Sequence, residues 1–215
     1  MKGLMLKDWY QVRTRMKAMY LGVAFVLVIW VFSTSSAYVF PVSYAAVFLG
    51  ILPINLLAYD HASGWTEYSF ALPLSKELQV AEKYLVGLLC TAVSAALNGI
   101  FCGILFWMGK PLPAMPIGLL LGAGAASILL INGIMLPLYY RFGAEKARML
   151  YMLMFAGMGA ALGGGAVMDE LQQNGTGSGP LPVPLWLAAV LLLAVLALYA
   201  VSWRVSVAWY GKYKK

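Results

Sequence analysis

Charge is scarce in this sequence, and histidine and cysteine are nearly missing. Only 11% of the 215 residues are charged, against 62% hydrophobic, and mean hydropathy is +0.81. A soluble domain carries roughly a quarter charged residues, so the deficit excludes the water-soluble classes. A single histidine, His61, rules out a histidine-based metal or catalytic cluster within one subunit. The two cysteines, Cys90 and Cys102, share one apolar run and read as small buried residues, not as a disulfide or a metal site. Catalytic signatures are missing too. No HExxH or GxSxG occurs; Gly109-Lys110 follows Gly103 with one residue too many for a P-loop, and Pro111 stands where Ser or Thr is required. The chain is therefore not expected to be an enzyme, and energy for any driven process has to come from another polypeptide.

What is present is apolar length. A membrane-spanning helix needs about 20 mostly apolar residues, and such runs absorb most of the chain. The sequence predicts an all-α integral membrane protein, one domain over 1–215. Its six transmembrane helices fall near 18–34, 38–59, 83–108, 114–140, 149–168 and 185–207. Pro53, inside the second, removes a backbone donor and is expected to kink it. Ahead of the first span, Met1, Met5, Trp9, Val12 and Met16 form one stripe of a helix, with Lys2, Lys7, Arg13, Arg15 and Lys17 off it. That pattern reads as an interfacial amphipathic helix over 1–17. A secretory signal cleaved after Ser35-Ser36-Ala37 is the rival reading, disfavoured by the long amphipathic start and the spans that follow.

All but Lys110 of the 15 Lys and Arg residues fall at the two termini, in 60–83 and in 141–148, with Arg204 at the end of the last span. The net charge of +7 thus belongs to one face of a membrane and not to a nucleic-acid site. By the positive-inside rule, both termini and those two connections are cytoplasmic. The opposite loop 169–184 is rich in Gly and Pro, and its Asn174-Gly175-Thr176 sequon reads as a chance match.

Small residues recur at helical spacing (Gly118, Gly122, Ala126; Gly159, Gly163), as close helix packing in lipid requires. Asn55, Asn98 and Asn132 lie within spans, where they either join helices or contact a pathway. No ionisable group sits at the centre of a span, which disfavours an ion-coupled carrier.

The longest polar interruption, 60–83, carries Trp65, Tyr68, Phe70, Leu72 and Leu74 and is too amphipathic for a simple connector. Pro73 followed by Ser75 signals a helix start, with Ser75 as N-cap and Glu77 in the first turn. From there Leu78, Ala81 and Leu85 are expected to continue one face into the third span.

Together MKGLMLKDWY (1–10), ILPINLLAYD (51–60), ALPLSKELQVAEKY (71–84) and LPLYYRFGAEKAR (136–148) resemble a small six-helix ABC-2 type permease. The likeness extends over essentially the whole chain and is greatest to the Gram-positive subfamily with the phenol-soluble modulin exporter permeases. The resemblance implies a half-transporter of the bacterial cytoplasmic membrane that pairs with a second permease. A separately encoded ABC ATP-binding subunit would hold the ATP and Mg, and this chain would bind no cofactor. It implies a cytoplasmic coupling helix between spans 2 and 3, at Leu72, Pro73, Leu74, Ser75, Lys76 and Glu77. A second ATPase contact would lie at Arg141, Glu145, Lys146 and Arg148. Cargo would be amphipathic or hydrophobic: a peptide, an antimicrobial or a lipid-like molecule. The alternatives are a non-transporting membrane sensor or immunity module, and a channel or ion-coupled carrier.

Overall fold

A computed structural model describes residues 2–15, 17, 21–22, 24–25, 28, 48–72, 75–109, 117–172 and 185–210. These are helical with short connections: α1 (Lys2–Arg15), α2 (Leu52–Ala62), α3 (Trp65–Ala71), α4 (Lys76–Trp107), α5 (Ile117–Gln172) and α6 (Leu185–Tyr210). Among the described residues, three helices are long and apolar enough to cross a membrane, at Lys76–Trp107, Ile117–Gly143 and Ala189–Tyr210. The expected fifth span is helical throughout, whereas the first span and most of the second lie largely outside the described residues.

Local chemistry accounts for the breaks. Residues 48–50 are helical, Ile51 is a turn, and α2 begins with Pro53 in its first turn. Ile51 itself keeps helical angles (φ −76°, ψ −20°), so around Pro53 the hydrogen-bond ladder is interrupted while the backbone stays helical. Further on, α5 is two helices joined at Gly143, whose φ of 82° and ψ of 176° suit glycine alone. The expected 141–148 turn has contracted to that one residue. Ser75 caps α4 as expected, its hydroxyl accepting from the Leu78 amide at 3.3 Å, with Glu77 in the first turn.

The helix that starts at Ser75 runs on into the span as the first two turns of the long α4, and a separate short helix, α3, precedes it at 65–71. Leu78, Ala81 and Leu85 follow one another along one side of α4, but that side is not its most buried one. All three are half-buried, while Gln79, Val80, Glu82, Lys83, Tyr84 and Val86 are buried. The polar side of the helix turns inward because its partners on α1 and α2 are carboxylates.

The core sits where α2, α4, α5 and α6 converge, around Leu57, Val80, Tyr84, Leu136 and Tyr199. The Tyr84 and Tyr199 rings meet at 4.9 Å, and the Tyr199 hydroxyl donates to the Tyr84 carbonyl at 2.8 Å. Leu191, Leu193, Leu198 and Val201 leave much of α6 exposed and apolar. In lipid that face needs no further cover, because the tails are as apolar as leucine.

Candidate functional site

Helix α1 meets the rest of the molecule along Leu4, Asp8 and Val12, all buried and four residues apart. An acid on that stripe needs a counter-charge, and α4 supplies it. Lys83 Nζ donates to Asp8 Oδ2 at 2.7 Å and Oδ1 at 2.9 Å, and reaches Asp60 Oδ2 of α2 at 2.8 Å. Lys7 Nζ closes the ring, donating to Asp60 Oδ1 at 2.6 Å and lying 3.2 Å from Asp8 Oδ1. Gln11 Nε2 adds a bond to Asp60 Oδ1 at 3.0 Å. The side chains of Asp8, Asp60 and Lys83 are each 3% exposed, and Lys7 18%. Two lysines thus neutralise two aspartates out of water. Burial pushes the Asp60 carboxyl upward, but Lys83 and Lys7 outweigh it and hold the group below its ordinary value of 3.8.

Glu82 is buried beside this ring, and its Oε1 has no hydrogen-bond partner among the described residues. One turn earlier, Gln79 ties α3 and α6 to the same end of α4. Its Nε2 donates to the Ser69 carbonyl at 3.2 Å, the Ser69 hydroxyl donates back to Oε1 at 3.2 Å, and the Tyr210 hydroxyl donates to the same oxygen. A cavity of about 50 Å³, bounded by Asp60, Gln79, Glu82, Lys83, Tyr140 and Tyr210, lies between the two networks. It has room for a few water molecules. Among the described residues, no three His, Cys, Asp or Glu side chains converge on a metal-sized site. Chemically the assembly is a charge-paired joint, with no nucleophile set against a base.

The residues singled out from sequence lie around this joint. Ser75, Lys76 and Glu77 are exposed at the tip of α4 and Leu72 is half-buried, while Pro73 and Leu74 lie outside the described residues. Arg141 and Lys146 are exposed, with the Arg141 guanidinium 4.9 Å from the Trp209 ring centre. The side chains of Glu145 and Arg148 lie outside those described. The three asparagines do not form one site. Asn55 is half-buried; Asn98 donates to Ser94 Oγ at 3.4 Å and Asn132 to the Ile128 carbonyl at 3.0 Å, each bond within its own helix.

Sequence reasoning missed Asp8, Asp60, Glu82 and the pairing role of Lys83. One signal was present: Asp8 stands four residues from both Leu4 and Val12, a charge on an apolar stripe.

Apolar spans on a nearly all-helical described chain, one of them tied to α1 and α2 by a buried charge cluster, define a multi-pass membrane protein. Within that class the chain belongs to a specific family: it matches the ABC-2 family transporter proteins over residues 3–211. It is accordingly a permease component of an ABC transporter, a transport subunit and not a catalytic enzyme. Permeases of this family generally work with an ABC ATPase subunit. No curated protein and no solved structure matches the chain.

Proposed function

We propose that this chain is the membrane half of an ATP-driven exporter, moving amphipathic or hydrophobic cargo when a separately encoded ATPase closes and opens. In this reading six spans cross the bacterial cytoplasmic membrane, with the termini, 60–83 and 141–148 on the cytoplasmic side. Two permeases pair above two ATPases.

One observation carries the coupling role. The tip of α4, at Ser75, Lys76 and Glu77, is exposed, while the next two turns are fastened to α1 and α2 by Lys83 and to α3 and α6 by Gln79. A partner pressing on the tip acts on one rigid helix continuous with a span, so the push reaches the bilayer without an intervening hinge. Arg141, Lys146 and their neighbours offer a second contact.

The test is co-purification with the ABC ATPase that this reading requires as a partner. Leu74→Asp with Lys76→Glu should abolish the complex and its ATP turnover while the permease still elutes as a folded membrane protein. A variant complex that survives intact would remove the docking assignment.

A further inference from the structure

An open groove of about 920 Å³ runs between α1 and the flank of α4. Its walls are apolar, with Trp9 on one side, Leu52 at the base, and Leu89, Cys90 and Val93 on the other. The volume lies within the range of roughly 300–1,000 Å³ that small-molecule sites occupy. Among the described residues, three charged groups reach it: Lys2, Asp8 and Arg13. Asp8 is neutralised from behind by Lys83. Lys2 and Arg13 are exposed and make no ion pair among the described residues. The free charge of the groove is therefore positive.

We propose that this groove binds an anionic phospholipid, with an acyl chain along Leu89, Cys90 and Val93 and the phosphate at Lys2 or Arg13. The two cations stand eleven residues apart on one helix, or about 16 Å at 1.5 Å per residue, so each marks one end of the groove. A zwitterionic headgroup would bring its own ammonium toward whichever cation held its phosphate, whereas phosphatidylglycerol carries no ammonium. Trp9, 63% exposed at the lip, supplies the amphipathic ring that favours the boundary between headgroups and tails. A basic residue near an anionic surface is worth about fivefold in binding. The site depends on the chain lying in a bilayer and not on its coupling to an ATPase.

The probes are phosphatidylglycerol and phosphatidylcholine bearing a photoreactive group on the acyl chain, each at equal fraction in nanodiscs holding the full chain. Adducts are mapped by mass spectrometry, with Leu191 and Leu198 of α6 as bulk-lipid controls. The expected result is that Leu89 and Val93 carry at least fivefold more phosphatidylglycerol than phosphatidylcholine, whereas α6 takes both equally. Lys2→Glu with Arg13→Glu should bring the groove down to the phosphatidylcholine level and leave α6 unchanged. Val93→Trp, which fills the groove and alters no charge, should remove groove adducts altogether, and it decides the matter if the charge variant fails to fold. Three outcomes would overturn the proposal. Equal labelling by both lipids in the wild type means ordinary bilayer contact. An unlabelled groove beside a labelled α6 means that another part of this chain, such as 29–47, occupies it. Phosphatidylglycerol labelling that survives the charge reversal means that the cations do not select the lipid.

Discussion

Lys83 holds together three helices, α1, α2 and α4, because one ammonium has three donors and here two carboxylates accept them. With Asp8 75 residues away, the pairing cannot form until α1 packs on α4. Breaking one side of a buried pair is costly, since the remaining charge stays out of water; about 3–5 kcal/mol is typical. Lys83→Met leaves Asp8 and Asp60 facing each other with only Lys7 between them. We expect the purified variant to lose stability of that order, read as a lowered thermal unfolding midpoint in detergent. Lys76→Met, on an exposed side chain two turns before the contact, should leave the midpoint within error. The contrast also shows what a linear sequence hides. The Ser75 cap could be read from three neighbouring residues, because capping is local chemistry. Lys83 looked like one more loop charge, because nothing near it in sequence names Asp8 or Asp60 as its partner.

At the scale of elements, α4 decides the architecture. It runs unbroken from the exposed tip at Lys76 to Trp107, and its approach to α6 is set by Gly87. A methyl group at Gly87 would lie 2.5 Å from the Tyr199 hydroxyl oxygen and 3.6 Å from Asn132 Cγ. The hydroxyl cannot move aside freely, because it donates to the Tyr84 carbonyl one turn back. Gly87→Ala should therefore destabilise by about 1–3 kcal/mol, the usual cost of overpacking. Gly99→Ala on the same helix meets nothing within 4 Å and should be neutral or slightly stabilising. Thermal unfolding of the two variants side by side checks this; an equally mild effect at both positions would mean that α4 and α6 are not in close contact. The existence of α4 was evident from its apolar run and cap. Which side of it faces inward was not, because the inward side is partly polar, and hydrophobic periodicity points to the wrong residues wherever ion pairs do the packing. The break at Gly143 was visible only as a polar interval, since its backbone angles have no sequence signal beyond the glycine itself.

For the whole molecule, the proposed coupling role raises the question whether the charge cluster only clamps α1 or also sets the angle at which α4 would transmit force. Replacing a buried ion group by apolar side chains of similar volume is often neutral or stabilising, so the two roles can be separated. Asp8→Leu, Asp60→Leu and Lys83→Met together remove the buried charges of the ring, and Glu82 beside it can take up a proton and so remain without a buried unpaired charge. Lys7 is partly exposed and already lies 4.6 Å from the Trp65 ring centre, so it retains an outlet. We expect the triple variant to unfold near the wild-type temperature and, with its Ser75–Glu77 tip unchanged, still to co-purify with the ATPase. Apolar contacts are non-directional, and would hold α1 against α4 without specifying the angle that the four ion pairs specify. Stimulation of ATP turnover by the permease in nanodiscs should then fall severalfold although the complex remains assembled. If stimulation persists at the wild-type level, the cluster is a clamp only, and transmission must run through the Gln79, Ser69 and Tyr210 contacts that the triple variant leaves in place.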